Sequence, residues 1–218
     1  MKRHFISFLL FLIGLCASAQ TGHAIDKFFA QMPSSVLPLL DKTARLDMID
    51  LFNNGLLAKV ENNYGGQSEM LRKTDEYIFI RCTDASTWQM RLLTQPHDTL
   101  IVCIHSFMAQ GTSSQISIYK HDWHAAKHDL PIPSRKLMLD PNTQLNYTRS
   151  QILQVTTANL PIQVIADANT PTLTYSLNLD ALTEQDQKDA VNLFRPLTYK
   201  WLPNGKWSRI SPSETTSK

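Results

Sequence analysis

Apolar residues in the first part of the chain recur with the period of a helix. Five of them fall at spacings of three and four and so share one helical face: Leu40, Ala44, Met48, Leu51 and Phe52. Asp41 can cap this helix, and Asn53-Asn54-Gly55 can end it because Asn and Gly accept the left-handed conformation. A shorter apolar helix is predicted over residues 25–31, ending near Pro33.

The middle of the chain has the pattern of β-strands. Apolar or alternating segments lie at 56–60, 70–73, 77–83, 88–94, 100–107 and 115–120. Short turns separate them, including Asn62-Asn63-Tyr64-Gly65-Gly66. Because the spacing leaves room only for hairpin-length loops, the pattern predicts an antiparallel meander.

The last third mixes strands with helix. Strands are predicted over 160–166 and 172–179, and over 198–202 and 206–210 on either side of the hairpin signal Pro203-Asn204-Gly205. The segment Thr183-Glu184-Gln185-Asp186 resembles a capping box, and its helix should run through Phe194. Residues 136–139 are predicted as a strand, residues 121–129 as a helical turn, and residues 149–158 fit either strand or helix.

These elements predict an α+β fold. N-terminal helices are followed by a large antiparallel meander sheet and then by a second, smaller unit of strands, helix and hairpin. Residues 20–211 are expected to form a single compact domain, with two sub-units at about 20–130 and 131–211 as the alternative. Residues 212–218 are polar and are expected to be a disordered tail.

The first nineteen residues have the pattern of a cleavable signal peptide. Lys2 and Arg3 precede an apolar run, and Ala17-Ser18-Ala19 supply the small residues before a cut at Gln20. The run is shorter than the roughly 20 residues that cross a bilayer. Leu15 before Cys16 argues against a lipoprotein signal. We therefore expect export to the periplasm or the extracellular space, without membrane insertion after cleavage.

The charge of the mature chain argues against some partners. The full chain has 21 basic and 19 acidic residues, so removal of Lys2 and Arg3 leaves 19 of each and no net charge. Nucleic-acid affinity comes largely from neutralised phosphates, so we expect no nucleic-acid partner.

Two cysteines remain after cleavage, Cys82 and Cys103. In a simple meander a third strand separates them by about 10 Å, beyond the roughly 7 Å between Cα atoms that a disulfide spans. We predict two buried thiols, with a disulfide as the alternative in an oxidising compartment.

Three histidines form the candidate metal site. On a helix, His121, His124 and His128 lie within an arc of roughly 60°, and neutral imidazoles are common ligands of zinc and other divalent transition metals. Ala125 stands where a zinc protease carries its glutamate. The alternative is a solvated polar face beside a packed Trp123.

Aromatic residues form a second candidate site. Trp201 and Trp207 flank the terminal hairpin and are expected either to pair across the strands in the core or, together with Tyr64, to form a ligand surface that stacks on sugars.

Several segments together suggest a family: residues 28–33, 37–40, 45–51, 62–66 and 118–123. In this order they resemble the Bacteroidetes domain-of-unknown-function family numbered 3256, over nearly the whole mature chain. The resemblance implies an exported protein without an established activity, and it supplies no catalytic residues.

The leading functional hypothesis is a non-enzymatic module that binds or scaffolds an envelope protein or a glycan, without a cofactor. It rests on the signal peptide, the neutral charge and the missing catalytic motifs. The first alternative is a metal-binding protein or metal-dependent envelope enzyme that uses the three histidines. The second is a glycan-binding surface with Tyr64, Trp201 and Trp207.

Overall fold

The computed structural model describes residues 24–95, 98–108, 111–127 and 130–210. Five helices are α1 Ala24–Gln31, α2 Lys42–Asn53, α3 Arg135–Met138, α4 Tyr147–Thr156 and α5 Glu184–Leu193. The first six strands are β1 Lys59–Glu61, β2 Gln67–Lys73, β3 Tyr77–Thr83, β4 Ser86–Thr94, β5 Thr99–Met108 and β6 Thr112–Lys120. Four more are β7 Ile162–Ala166, β8 Thr172–Leu177, β9 Leu197–Trp201 and β10 Trp207–Ile210. The predicted α+β fold, with helices first and antiparallel sheets after them, is confirmed.

Local signals set the bounds of α2. The Asp41 carboxylate accepts a hydrogen bond from the Ala44 amide at 2.8 Å, as an N-cap does. The helix ends at Asn53, and Gly55 follows with φ +69°, where a side chain would be strained.

The first sheet is the predicted meander, with its six strands in sequence order and antiparallel to their neighbours. Side chains alternate between its faces, so that Trp88, Met90 and Leu92 of β4 point to the side covered by α1 and α2. Phe29 of α1 packs against Trp88, with ring centroids 5.9 Å apart. A core cluster therefore joins the N-terminal helices to one face of this sheet.

The second sheet covers the other face of the first. Its order is β10-β9-β8-β7, all antiparallel. Leu93 and Val102 of the first sheet share a core cluster with Leu173, Tyr175 and Trp201 of the second. This cluster draws on both halves of the chain.

Strand β7 forms one edge of the second sheet and is tied to the first by side chains. The Val164 amide donates to Ser114 Oγ, and the Ala166 amide donates to Gln89 Oε1, both at 3.0 Å. These two backbone amides lie on the open edge of β7, where no neighbouring strand accepts their hydrogen bonds, and side chains of the first sheet accept them instead.

Helices α3 to α5 lie on the outer face of the second sheet. Met138, Leu153 and Leu193 pack there with Leu177 and Leu197 of the strands. The layers run helices, sheet, sheet, helices.

The structure corrects one local prediction and decides one that the sequence left open. Residues 135–138 form helix α3 instead of the strand predicted over 136–139, because the buried Met138 side chain anchors this segment in the third core cluster. The undecided segment 149–158 is largely helix α4, capped by Asn146, which accepts from the Arg149 amide at 2.8 Å.

The two cysteines of the first sheet are free thiols, as predicted. Strand β4 lies between β3 with Cys82 and β5 with Cys103. Burial raises the pKa of both thiols, that of Cys82 to about 12.

The expected signal peptide, residues 1–19, and the expected tail, residues 212–218, lie outside the described residues. Among the residues that are described, no helix is long and apolar enough to cross a membrane.

Candidate functional site

A cleft of about 500 Å³ opens between the two sheets beside strand β7. Strands β2 to β6 contribute one wall, and β7, β8 and residues 167–168 contribute the other. Other clefts among the described residues measure about 280, 310 and 330 Å³. Ligand sites are usually concave spaces of this size, between about 300 and 1,000 Å³, with a few fixed polar groups.

Gln89 is the fixed polar group at the base of the cleft. It is 3% exposed, on the face of β4 that points to the second sheet. Its Oε1 accepts from Tyr77 Oη and from the Ala166 amide, each at 3.0 Å. Two donors on one oxygen determine the orientation of the amide. The Nε2 group, which has no partner among the described residues, is left to donate to a bound molecule.

Tyr77 lies next to Gln89 as a neutral donor. Burial raises its pKa to about 12, with smaller and opposing effects from Arg72, Asp167 and Arg91. The phenol is therefore protonated at neutral pH, and its proton is already donated to Gln89. Its hydrogen bond positions the Gln89 amide.

Arg91 holds the wall of the cleft in place. This buried guanidinium donates from Nη1 to the carbonyl oxygens of Ala168 at 2.9 Å and Asp167 at 3.3 Å, and from Nη2 to Glu76 at 2.9 Å. It thus ties the loop after β7 to the first sheet. Thr74 Oγ1 adds a donor to the Ala168 carbonyl at 3.2 Å.

Two opposite charges lie at the rim of the cleft, Arg72 and Asp167. Asp167 Oδ1 accepts from the Asn169 amide, the Thr170 amide and Thr170 Oγ1, at 2.9, 2.7 and 2.9 Å. Desolvation would raise the pKa of Asp167, but these hydrogen bonds and Arg91 outweigh it, so that the pKa lies below its usual value. Arg72 and Asp167 form no ion pair with each other within the described residues, although both line the cleft that the Tyr77 side chain also lines.

The rest of the lining combines uncommitted polar groups with apolar ones. The side chains of Thr87, Thr112 and Gln163 make no hydrogen bond within the described part of the chain. Phe79 and Ile165 supply apolar surface beside them. The cleft is suited to hold a small polar molecule by several neutral hydrogen bonds.

The predicted histidine site is only partly described. His121 Nδ1 lies 2.8 Å from Asp98, and His124 Nδ1 lies 3.1 Å from Asp122, with both imidazoles exposed. Within the described ranges no group of three or more His, Cys, Asp or Glu side chains is placed to hold a metal ion. His128 lies outside those ranges, so a three-histidine site for zinc or another divalent metal stays a prediction.

The prediction of a helical turn over residues 121–129 is wrong for residues 121–127, the part of this segment that the structure describes. Trp123 has φ +66°, outside the right-handed helix, and packs against Tyr119 with ring centroids 5.5 Å apart. The Ala126 amide donates to the Ile118 carbonyl, so the chain folds back along β6. Core packing of Trp123 decides the local conformation.

The predicted aromatic residues are placed in two regions. Trp201 and Trp207 face each other across β9 and β10, with ring centroids 5.1 Å apart, which confirms the cross-strand pair. Trp201 is buried in the second core cluster and Trp207 is partly buried against it. Tyr64 is 74% exposed on the turn between β1 and β2, in the other sheet. A sugar-stacking surface of these three residues stays a prediction.

The residues of the cleft are not predicted from the sequence. One signal was present: in β4 the polar Thr87, Gln89 and Arg91 alternate with apolar Trp88 and Met90. Such alternation usually indicates a solvated face. Here the second sheet covers that face, which no local pattern reveals.

Comparison with known proteins places the chain in a family. The family model "Protein of unknown function (DUF3256)" matches residues 17–206. The chain belongs to the DUF3256 family. The resemblance stated from the sequence is thereby confirmed, and the family description names no activity.

A solved structure shares the fold. It is described as "Structure of a domain of an uncharacterized protein from Porphyromonas gingivalis W83" and is 21% identical, with a TM-score of 0.69 over 85% of this chain and 97% of that chain. No curated protein matches the chain. Because a fold does not determine a function, the side chains of the cleft carry the functional information in this structure.

Proposed function

We propose that this DUF3256 protein is an exported, non-enzymatic binding module of the bacterial cell envelope, with its ligand in the cleft between the two sheets. The observation that carries the proposal is the fixed orientation of the Gln89 side-chain amide. A buried amide held by Tyr77 and Ala166, with its Nε2 donor uncommitted, is a preorganised contact for a ligand. Thr87 and Thr112 add uncommitted hydroxyls around it.

The ionisable groups of the cleft favour binding over acid–base catalysis. A general acid or base works best with a pKa near the working pH. Burial moves the pKa of Tyr77 away from neutrality, to about 12, and the pKa of Asp167 lies below its usual value. Arg72 is a permanent cation. These groups can orient and neutralise a ligand without transferring a proton.

Export rests on the signal-peptide pattern of residues 1–19. Mass spectrometry of the protein from the envelope fraction of a secreting bacterial host should give Gln20 as the first residue. An intact N-terminus in the cytosolic fraction would contradict this part of the proposal.

The cleft can be tested with a matched pair of variants. Thr112 lines the cleft, whereas its neighbour Ser113 is exposed on the opposite face of β6, so Thr112→Trp should fill the cleft and Ser113→Trp should leave it open. A thermal-shift panel of amino acids, dipeptides, monosaccharides and disaccharides should contain compounds that stabilise the wild type and Ser113→Trp but not Thr112→Trp. Equal stabilisation of both variants, or turnover of hydrolase substrates, would contradict the proposal.

A further inference from the structure

The rim of the cleft carries one cation and one anion that do not neutralise each other. Arg72 has no ion pair within the described residues, and Asp167 accepts hydrogen bonds only from neutral groups of its own loop and on one oxygen, Oδ1. Both side chains are exposed and line the same cleft as Tyr77. A molecule in the cleft can therefore meet a positive and a negative group together.

The negative group is held rigidly. Three hydrogen bonds fix Asp167 Oδ1, and the buried Arg91 holds the carbonyls of Asp167 and Ala168. Oδ2 takes part in none of these bonds. A carboxylate oxygen fixed in this way can accept from an ammonium group without the entropy cost of ordering a free side chain.

The positive group suits a carboxylate. A guanidinium presents two parallel donors that match the two oxygens of a carboxylate. Beyond the rim, the cleft offers Gln89 Nε2 and the uncommitted side chains of Thr87 and Gln163, which suit neutral polar groups.

We infer that the cleft binds a small zwitterionic ligand, an amino acid or a short peptide with both ends free, with its carboxylate on Arg72 and its ammonium on Asp167. The inference rests on the proposed function, because it specifies the ligand of the same cleft. The polar part of the ligand reaches toward Gln89, and its apolar part lies against Phe79 and Ile165.

Isothermal titration of the mature chain with four probes tests this assignment. The probes are the dipeptide L-alanyl-L-glutamine with free ends, its N-acetyl form, its C-terminal amide, and maltose as a neutral polar molecule. We expect the free dipeptide to bind, each blocked form to bind about tenfold more weakly, and maltose to bind more weakly still.

Variants assign each charge to one end of the probe. Arg72→Gln should weaken binding of the free dipeptide about tenfold and leave the affinity for the C-terminal amide unchanged, because that probe already lacks the carboxylate that Arg72 contacts. Asp167→Asn should likewise weaken binding of the free dipeptide and leave the affinity for the N-acetyl form unchanged, because that probe lacks the ammonium group. Asparagine keeps the Oδ1 that holds the loop. Arg209→Gln, at an exposed arginine on β10 at the edge of the second sheet opposite β7, is the control and should change neither affinity.

The outcomes separate this inference from the proposed function. If maltose binds more tightly than the dipeptide and Thr112→Trp blocks it, the cleft is a binding site but the zwitterion assignment is wrong. Dipeptide binding that neither charge variant affects also overturns the assignment. If no probe of the four and no member of the thermal-shift panel binds in a way that Thr112→Trp blocks, the proposed function itself fails.

Discussion

Replacing Arg91 with methionine should destabilise the protein by about 2 kcal/mol. Arg91 is 2% exposed and connects the first sheet to the loop after β7. Methionine keeps an unbranched stem of similar length but cannot donate to the carbonyls of Asp167 and Ala168. The substitution thus removes the connection and leaves the buried Ala168 carbonyl with only the 3.2 Å contact from Thr74.

The magnitude follows from the contacts. The bond to Ala168 is buried and charge-assisted, which contributes about 1.5–3 kcal/mol. The Glu76 partner is 47% exposed, so that this ion pair adds no more than about 1 kcal/mol. Arg91 Nε has no partner in the described structure, and removing the cation relieves that desolvation cost. The net loss in the free energy of unfolding therefore lies near the lower end of the combined contributions of these two contacts.

Urea denaturation followed by tryptophan fluorescence measures the loss as a lower midpoint at an unchanged slope. Arg81→Met is the matched control, because Arg81 is 47% exposed in its pair with Glu69, and it should cost under about 1 kcal/mol. An Arg91→Met protein as stable as the Arg81→Met protein would refute the role of Arg91 as a link between the first sheet and the loop after β7.

Three further predictions concern other parts of the chain. Asp41→Ala should lower the free energy of unfolding by about 1 kcal/mol in the same assay, because the Ala44 amide loses its cap. Burial raises the pKa of Tyr77 from 10.0 to about 12, so the protonated phenol contributes fully to stability below pH 10, and this contribution is lost as the pH rises toward 12. An alkaline titration followed by phenolate absorbance and tryptophan fluorescence measures the ionisation and the accompanying unfolding. Cys82 and Cys103 are buried, and burial raises the pKa of both thiols, so Ellman's reagent should find no reactive thiol in the native mature protein and two in the denatured one.

Each of these predictions has an outcome that contradicts it. An Asp41→Ala protein with wild-type stability would show that the cap contributes nothing. A Tyr77→Phe variant with the same alkaline unfolding profile as the wild type would assign the pH dependence to other groups. Denatured mature protein without free thiols would mean that a disulfide forms.

The sequence predicts this fold well wherever local chemistry decides it. The strand of residues 77–83 is found with the predicted bounds, and Asp41 and Thr183 cap the two helices that they were expected to cap. Gly205, with φ +75°, lies in the turn of the predicted terminal hairpin. Caps and turns depend on neighbouring residues, so a single sequence contains them.

The sequence does not predict what depends on contacts between distant segments. Residues 135–138 form helix α3 in place of the predicted strand over 136–139, because Met138 packs among α4, α5 and the second sheet. The cleft is missed for the same reason. Gln89 on β4 and Ala166 on β7 are 77 residues apart, and their hydrogen bond exists only because one sheet covers the other.

The most direct test of the cleft as the ligand site is amide NMR of the mature protein during titration with the strongest binder of the thermal-shift panel. We predict shift changes concentrated at Tyr77, Gln89 and residues 166–168, and their loss in Thr112→Trp. Changes concentrated instead at the hairpin of Trp201 and Trp207, or at His121 and His124, would contradict this assignment.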